Sequence, residues 1–208
     1  MKLARPAVAL AVGAALAFAG TAGAAAKPKP VCNLVTDKAG DATGFLVASS
    51  TPMPTDANLD ILSADVASDA KKLTAVIRVA KLGADSTSPT GDIYYQNFSV
   101  GGTKYYLEAL VTGTKGSYSL GDFSGTGGTR HNIEDATGKL DLAHNAVHIT
   151  VPASSVGAKA GKSVIGDLDT LAQRYVNLVA VGITPTADEA TSPRTYKAGA
   201  LSCVKPGA

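Results

Sequence analysis

The side chains in this sequence best placed to do chemistry are its aspartates. Asp37 and Asp41 bracket a short loop, Asp37-Lys38-Ala39-Gly40-Asp41, and Asp56 and Asp60 flank the entry to the next apolar segment. Carboxylates gathered with loop carbonyls form the hard oxygen shell that calcium requires, roughly six to eight oxygens at about 2.3–2.6 Å. The expectation is that Asp37, Asp41 and Asp60 converge, with calcium as the candidate cofactor. The spacing is not that of an EF-hand, because Asp37 lacks acids or amides at the alternating positions that follow it. Without a cation the same residues are turn formers, whose short side chains bond the local backbone.

Aromatic residues offer a second kind of site. Tyr94-Tyr95 and Tyr105-Tyr106 stand on either side of Gly101-Gly102, a two-residue hairpin signal, since a type I′ turn needs positive φ at both positions. Neighbours on a strand point to opposite faces, so one tyrosine of each pair should meet solvent or a groove. Two such rings side by side would form a stacking platform with hydroxyls, suited to a sugar. Tyr94, Tyr95, Tyr105 and Tyr106 are therefore the candidate ligand-binding residues. The competing reading packs each ring on the core with its hydroxyl at the rim, and the absence of Trp weighs against carbohydrate.

Other motifs fall away on spacing. Gly157-Ala158-Lys159-Ala160-Gly161-Lys162-Ser163 has Val156 where a phosphate-binding loop needs its first glycine. Asn145 marks a turn between His144 and His148, so the two do not share a helix face; no glutamate follows His144, and His131 adds no third zinc ligand. No Gly-x-Ser-x-Gly elbow occurs. Scattered serines, histidines and 17 acidic residues leave a hydrolase assembled from distant positions as the alternative function.

The elements that must position these residues read as strands. Leu59–Ala67 and Leu73–Val79 alternate around Ser68-Asp69-Ala70-Lys71-Lys72, with Leu73, Ala75, Ile77 and Val79 on one face. Ile93–Val100 and Thr103–Thr112 form the hairpin, Ala146–Val151 alternates up to Pro152, and Asn177–Thr184 and Tyr196–Val204 close the chain. Ser117–Phe123, Thr129–Ile133 and Lys139–Leu142 are weaker strand candidates, and Ser163–Tyr175 is the one place for a short helix. Short strands divided by Gly, Pro, Asp and Asn predict an all-β fold, one antiparallel, jelly-roll-like β-sandwich over residues 27–208.

Residues 1–26 read as an export signal: a basic start with Lys2 and Arg5, an apolar run from Pro6 to Ala19, and Ala-x-Ala sites ending at Ala24 and Ala26. The run falls short of the roughly 20 residues a membrane span needs, and no later segment qualifies. An uncleaved anchor is the alternative. Removal of the leader takes away two basic residues and no acid, leaving the basic side chains equal in number to the 17 acidic ones. A neutral chain lacks the footprint for nucleic acid, so the partner expected is an extracellular ligand. Secretion into an oxidising compartment makes a Cys32–Cys203 disulfide the simplest use of the two cysteines, one near each end of the mature chain.

The succession of a strand, Asp37-Lys38-Ala39-Gly40-Asp41-Ala42, then Leu59-Asp60-Ile61-Leu62-Ser63-Ala64-Asp65-Val66 and a hairpin partner resembles exported bacterial β-sandwiches of the DOMON-like and family 9 carbohydrate-binding-like group. The likeness covers about the first third of the mature chain, in short pieces. It implies a sandwich that binds something, often sugar and sometimes with calcium, and it does not imply catalysis. The function expected is an exported, non-catalytic binding module.

Overall fold

Period-two apolar patterning becomes two antiparallel sheets. The structure is a computed structural model that describes residues 29–46, 51–52, 55–83, 91–174 and 183–207, so the leader and most of Asn177–Thr184 lie outside the described residues. The smaller sheet runs, in spatial order, β1 (Val35–Thr36), β4 (Ile61–Ser68), β5 (Lys72–Val79), β11 (Ala146–Pro152) and β10 (Thr137–Asp141). The larger runs β3 (Thr51–Pro52), β2 (Thr43–Leu46), β13 (Ile183–Ser192), β12 (Val164–Arg174), β6 (Asp92–Val100), β7 (Thr103–Thr112), β8 (Lys115–Asp122) and β9 (His131–Asp135). A further strand, β14 (Tyr196–Lys197), pairs the start of β12. The protein is an all-β sandwich, with no α-helix among the described residues.

Both sheets feed one continuous core. Leu73, Ala75, Ile77 and Val79 of β5 are buried with Val147, Ile149 and Val151 of β11, opposite Tyr94, Phe98, Leu107 and Leu120 of the larger sheet. The second face of β5 is covered as well, because the C-terminal segment crosses it. Val204 packs with Val76, Ala67 and Ala146, and the Gly207 amide donates to Thr74 Oγ1 at 2.7 Å. Several polar groups buried in the sandwich are paired with one another. Thr170 Oγ1 donates to Gln96 Oε1 at 2.9 Å, and Asp65 meets Arg78 at 2.8 Å while accepting from the Leu34 amide.

Two expectations about elements need correcting. The helix expected over Ser163–Tyr175 is not found: Val164–Arg174 is the longest strand among the described residues and lies inside the larger sheet, bonded on both sides. The cause of the misreading is a β-bulge. Between Gly166 and Asp169 the register with β6 slips, and Asp167 takes a φ of 49°. One extra residue sets the core-facing Ile165 and Leu168 three apart, and Leu171 on the outer face extends the same interval, so the run has helical spacing. Tyr196–Val204 is likewise no continuous strand, since only Tyr196 and Lys197 join the sheet before Gly199 turns the chain at a φ of 79°.

The chain ends meet as cysteine usage suggests. Cys32 and Cys203 form a disulfide with their Cα atoms 5.2 Å apart, closing a separation of 171 residues. Val31 exchanges backbone hydrogen bonds with Leu201 and Cys203, and Arg194 donates to the carbonyls of Cys32 and Asn33.

Candidate functional site

The hairpin of β6 and β7 places the tyrosines. Gly101 and Gly102 take φ of 59° and 86° at the turn, and the register pairs Tyr94 with Ala109, Tyr95 with Glu108, Phe98 with Tyr105 and Asn97 with Tyr106. Alternation therefore sends Tyr94 and Tyr105 toward the core and Tyr95 and Tyr106 to the outer face. Tyr94 is 1% exposed, and its hydroxyl donates to the Asn58 carbonyl at 2.8 Å. Tyr105 is half-buried and stacks on Phe98, ring centres 5.9 Å apart.

The outer-face pair does not form an open platform. Tyr95 and Tyr106 meet edge to face at 5.9 Å, Phe123 packs on Tyr106, and the Arg130 guanidinium lies 3.9 Å above the Tyr95 ring. The chain after β8 folds back over this face, leaving Tyr95 and Tyr106 only 6% and 4% exposed. A glycine makes the close fit feasible: a Cβ on Gly121 would run into the Tyr106 ring and the His131 carbonyl oxygen. Burial raises the pKa of both hydroxyls, and the Glu108 carboxylate adds to the rise. The two outward-facing tyrosines, one from each pair, form a covered aromatic cluster in place of an exposed stacking platform.

Beside this cluster opens a cavity of about 870 Å³. Its apolar lining comes from Phe98, Tyr105, Phe123, Leu168 and Pro193. Its polar lining includes Asn97 on β6, Lys104 on β7, Arg130 after β8, Asp167 and Asp169 on β12, and Thr191 on β13. The bulge in β12 is part of the wall, as bulges beside sites often are, because the extra residue re-aims side chains. Asn97 Nδ2 donates to Asp169 Oδ2 at 2.8 Å. The remaining oxygens, Asn97 Oδ1 and Asp169 Oδ1, are shut off from bulk water without a hydrogen-bond donor. Tyr105 is the one sequence-selected tyrosine in the lining. Asn97, Asp169 and Arg130 carry no local motif that marks them.

A second cluster gathers acids. Asp37, Asp41 and Asp188 bring one carboxylate oxygen each to within 4.8 Å of one another. Asp37 follows β1, Asp41 precedes β2, and Asp188 rides on β13, which pairs β2 through Ala187 and Thr43. Asp60 has a different task from the one expected of it. Its two oxygens accept from the Gly40 amide at 2.9 Å each, pinning the loop that carries Asp37 and Asp41. Asp188 Oδ2 accepts from the Ile61 amide at 2.7 Å, and Asp37 Oδ2 is buried without a donor. Burial, then the charges of Asp37 and Asp41, push the Asp188 carboxyl up to about 6. Asp56, the fourth acid at this entry, turns instead to Arg174, which also holds Asp92 at 3.1 Å.

The histidines pair locally or stay on the strands. His144 meets Asp141 at 2.9 Å across the β10–β11 turn, where Asn145 has a φ of 52°, and His131 lies 3.4 Å from Asp122. Both are exposed, and His148 sits on β11. Side-chain and backbone hydrogen bonds from Ser124, and then His131, hold the carboxyl of Asp122 below its ordinary range, and the hydrogen bond to His144 does the same for Asp141. No protein-family model matches the chain, and no curated protein matches it as a relative.

Proposed function

We propose that this protein is an exported, non-catalytic binding module whose small extracellular ligand occupies the cavity beside the tyrosine cluster. The observation that carries the reading is the cavity itself: its volume is in the range of small-ligand sites, and apolar walls surround a few convergent polar groups. The disulfide joining the chain ends and the export signal read from residues 1–26 support an extracellular setting. No helix among the described residues is long and apolar enough to cross a membrane. Binding ranks above the hydrolase alternative because the DOMON-like resemblance implies binding without catalysis, and no histidine or cysteine stands among the described lining residues to serve a serine-type mechanism. With Tyr95 and Tyr106 covered, carbohydrate binding draws its support from the cavity, which Tyr105 lines, and from the DOMON-like resemblance.

Calcium belongs to the same proposal as a structural cofactor at Asp37, Asp41 and Asp188. The donors suit a hard cation, and the orphaned Asp37 Oδ2 is the specific observation in its favour. The test of function is a glycan array, with a panel of small metabolites, applied to the mature chain and to a Thr191→Trp variant. Thr191 is an exposed lining residue, so the indole obstructs the cavity from its rim. Ligands that bind the parent and are lost from the variant, at an unchanged melting temperature, support the reading. Hits that survive Thr191→Trp, or no hits at all, overturn it.

A further inference from the structure

The charges of the cavity are sorted by strand. The cations, Lys104 and Arg130, come from β7 and the segment after β8, while the anions, Asp167 and Asp169, come from β12. Strand β6 separates the two sides, since it pairs β7 along one edge and β12 along the other. Strand spacing is about 4.8 Å, so the cavity is dipolar over a distance that one small molecule can bridge.

Each side lacks a partner for its charge. Among the described residues Arg130 takes part in ring contacts alone, to Tyr95, Tyr106 and Phe123 at 3.9, 5.7 and 5.8 Å. Stacking on Tyr95 orients the guanidinium while leaving its N–H donors for an acceptor from outside. Asp169 forms no ion pair among the described residues; one oxygen accepts from Asn97, and the other is idle beside the equally idle Asn97 Oδ1. Buried acceptors without donors are rare in native proteins because each costs its desolvation, and they point to a missing group. The carboxylate turns about χ2, a broad torsion, so its idle oxygen can rotate toward the cavity.

We infer that the cavity takes a zwitterion, an amino acid or short peptide with free ends, whose ammonium group meets Asp169 and Asn97 and whose carboxylate meets Arg130. An ammonium has three donors and a positive charge, which supplies both idle oxygens and compensates the Asp169 carboxylate. A carboxylate matches the planar fork of the guanidinium, with Lys104 as a second cation. The apolar remainder of the ligand packs against Phe98, Tyr105, Phe123 and Leu168. A neutral sugar satisfies the acceptors but leaves both charges uncompensated. This inference rests on the cavity being the binding site and goes further by naming the ligand class.

The experiment is amide NMR titration of the mature, oxidised chain with four probes: leucyl-leucine, its methyl ester, its N-acetyl derivative, and a neutral disaccharide. The free dipeptide should shift amides around Asn97, Lys104, Arg130 and Asp169, and bind about ten-fold or more tightly than either blocked form. Asp169→Asn should weaken the free dipeptide and the methyl ester by about ten-fold and leave the N-acetyl form unchanged; Arg130→Gln should do the reverse for the two blocked forms. A melting curve for each variant separates lost contacts from lost fold, and Lys104→Gln provides a second, exposed lining position. Equal binding of the free and blocked dipeptides overturns the zwitterion. So does the disaccharide shifting the cavity amides while the dipeptides do not, an outcome that sustains the cavity as the binding site. Silence of the cavity amides to all four probes overturns both proposals.

Discussion

Replacing Asp188 with asparagine should stabilise this protein at neutral pH when divalent cations are absent. Asp188 is 8% exposed and faces the carboxylates of Asp37 and Asp41, so ionisation there is opposed first by burial and then by like charge. Raising its pKa from 3.8 to about 6 amounts to about 3 kcal/mol against the charged form. Asp41 is exposed and water screens the cluster, so the share appearing in stability is about 1–2 kcal/mol. The sign follows from proton counting. Below pH about 4 the folded and unfolded chains both hold this proton, and the charge costs nothing. Between about 4 and 6 the unfolded chain releases it first, so the native state binds more protons and its stability falls as pH rises. Above about 6 the penalty is complete. The side-chain amide introduced by Asp188→Asn would keep an oxygen for the Ile61 amide and offer an N–H to the idle Asp37 oxygen. The assay is urea unfolding of both proteins in chelator from pH 4 to 8, reading the difference between them so that other carboxylates cancel. The variant should match the parent near pH 4 and exceed it by about 1–2 kcal/mol at pH 7. Calcium should then raise the melting temperature of the parent and not of the variant, by mass action on the native state. A variant less stable than the parent at pH 7 in chelator would refute the electrostatic account. A parent melting temperature indifferent to calcium would remove the cation.

Three further outcomes follow from the packing. Cys32→Ser with Cys203→Ser should lose at most about 5 kcal/mol, the chain-entropy value for the 171-residue separation, read as a fall in denaturation midpoint; a midpoint equal to that of the oxidised parent counts against the constraint. Gly121→Ala should cost about 1–3 kcal/mol and disturb the Tyr95–Tyr106–Arg130 cluster, because the added methyl collides with the Tyr106 ring and the backbone; an unchanged tyrosine near-ultraviolet spectrum contradicts this packing. Thr170→Val removes the donor to Gln96 Oε1 at a fully buried site and should destabilise by about 1–3 kcal/mol, whereas a neutral change measured by thermal unfolding argues that Gln96 has another donor.

Local patterning by itself determined the all-β class, the Gly101-Gly102 hairpin, the inward face of β5 and the turn at Asn145, because each depends on residues adjacent along the chain. The disulfide was legible too, since a chain with two cysteines leaves one intramolecular pairing. Tertiary structure decided where that local logic ran out. The bulge at Asp167 disguised β12 as a helix, because a single inserted residue changes the apparent period while the sheet absorbs it as a local kink. Asp188 could not be chosen from the sequence as a companion of Asp37 and Asp41, since only the pairing of β13 with β2 brings it back across most of the chain. Alternation correctly divided each tyrosine pair between two faces, but it carries no information about what covers a face. The return of Phe123 and Arg130 over Tyr95 and Tyr106 did that, closing the expected platform and walling a cavity beside it. Which residues share a strand face is written in the spacing of side chains along the backbone. Which faces are left open is settled by contacts between segments distant in sequence, and the candidate ligand site lies at one of those contacts.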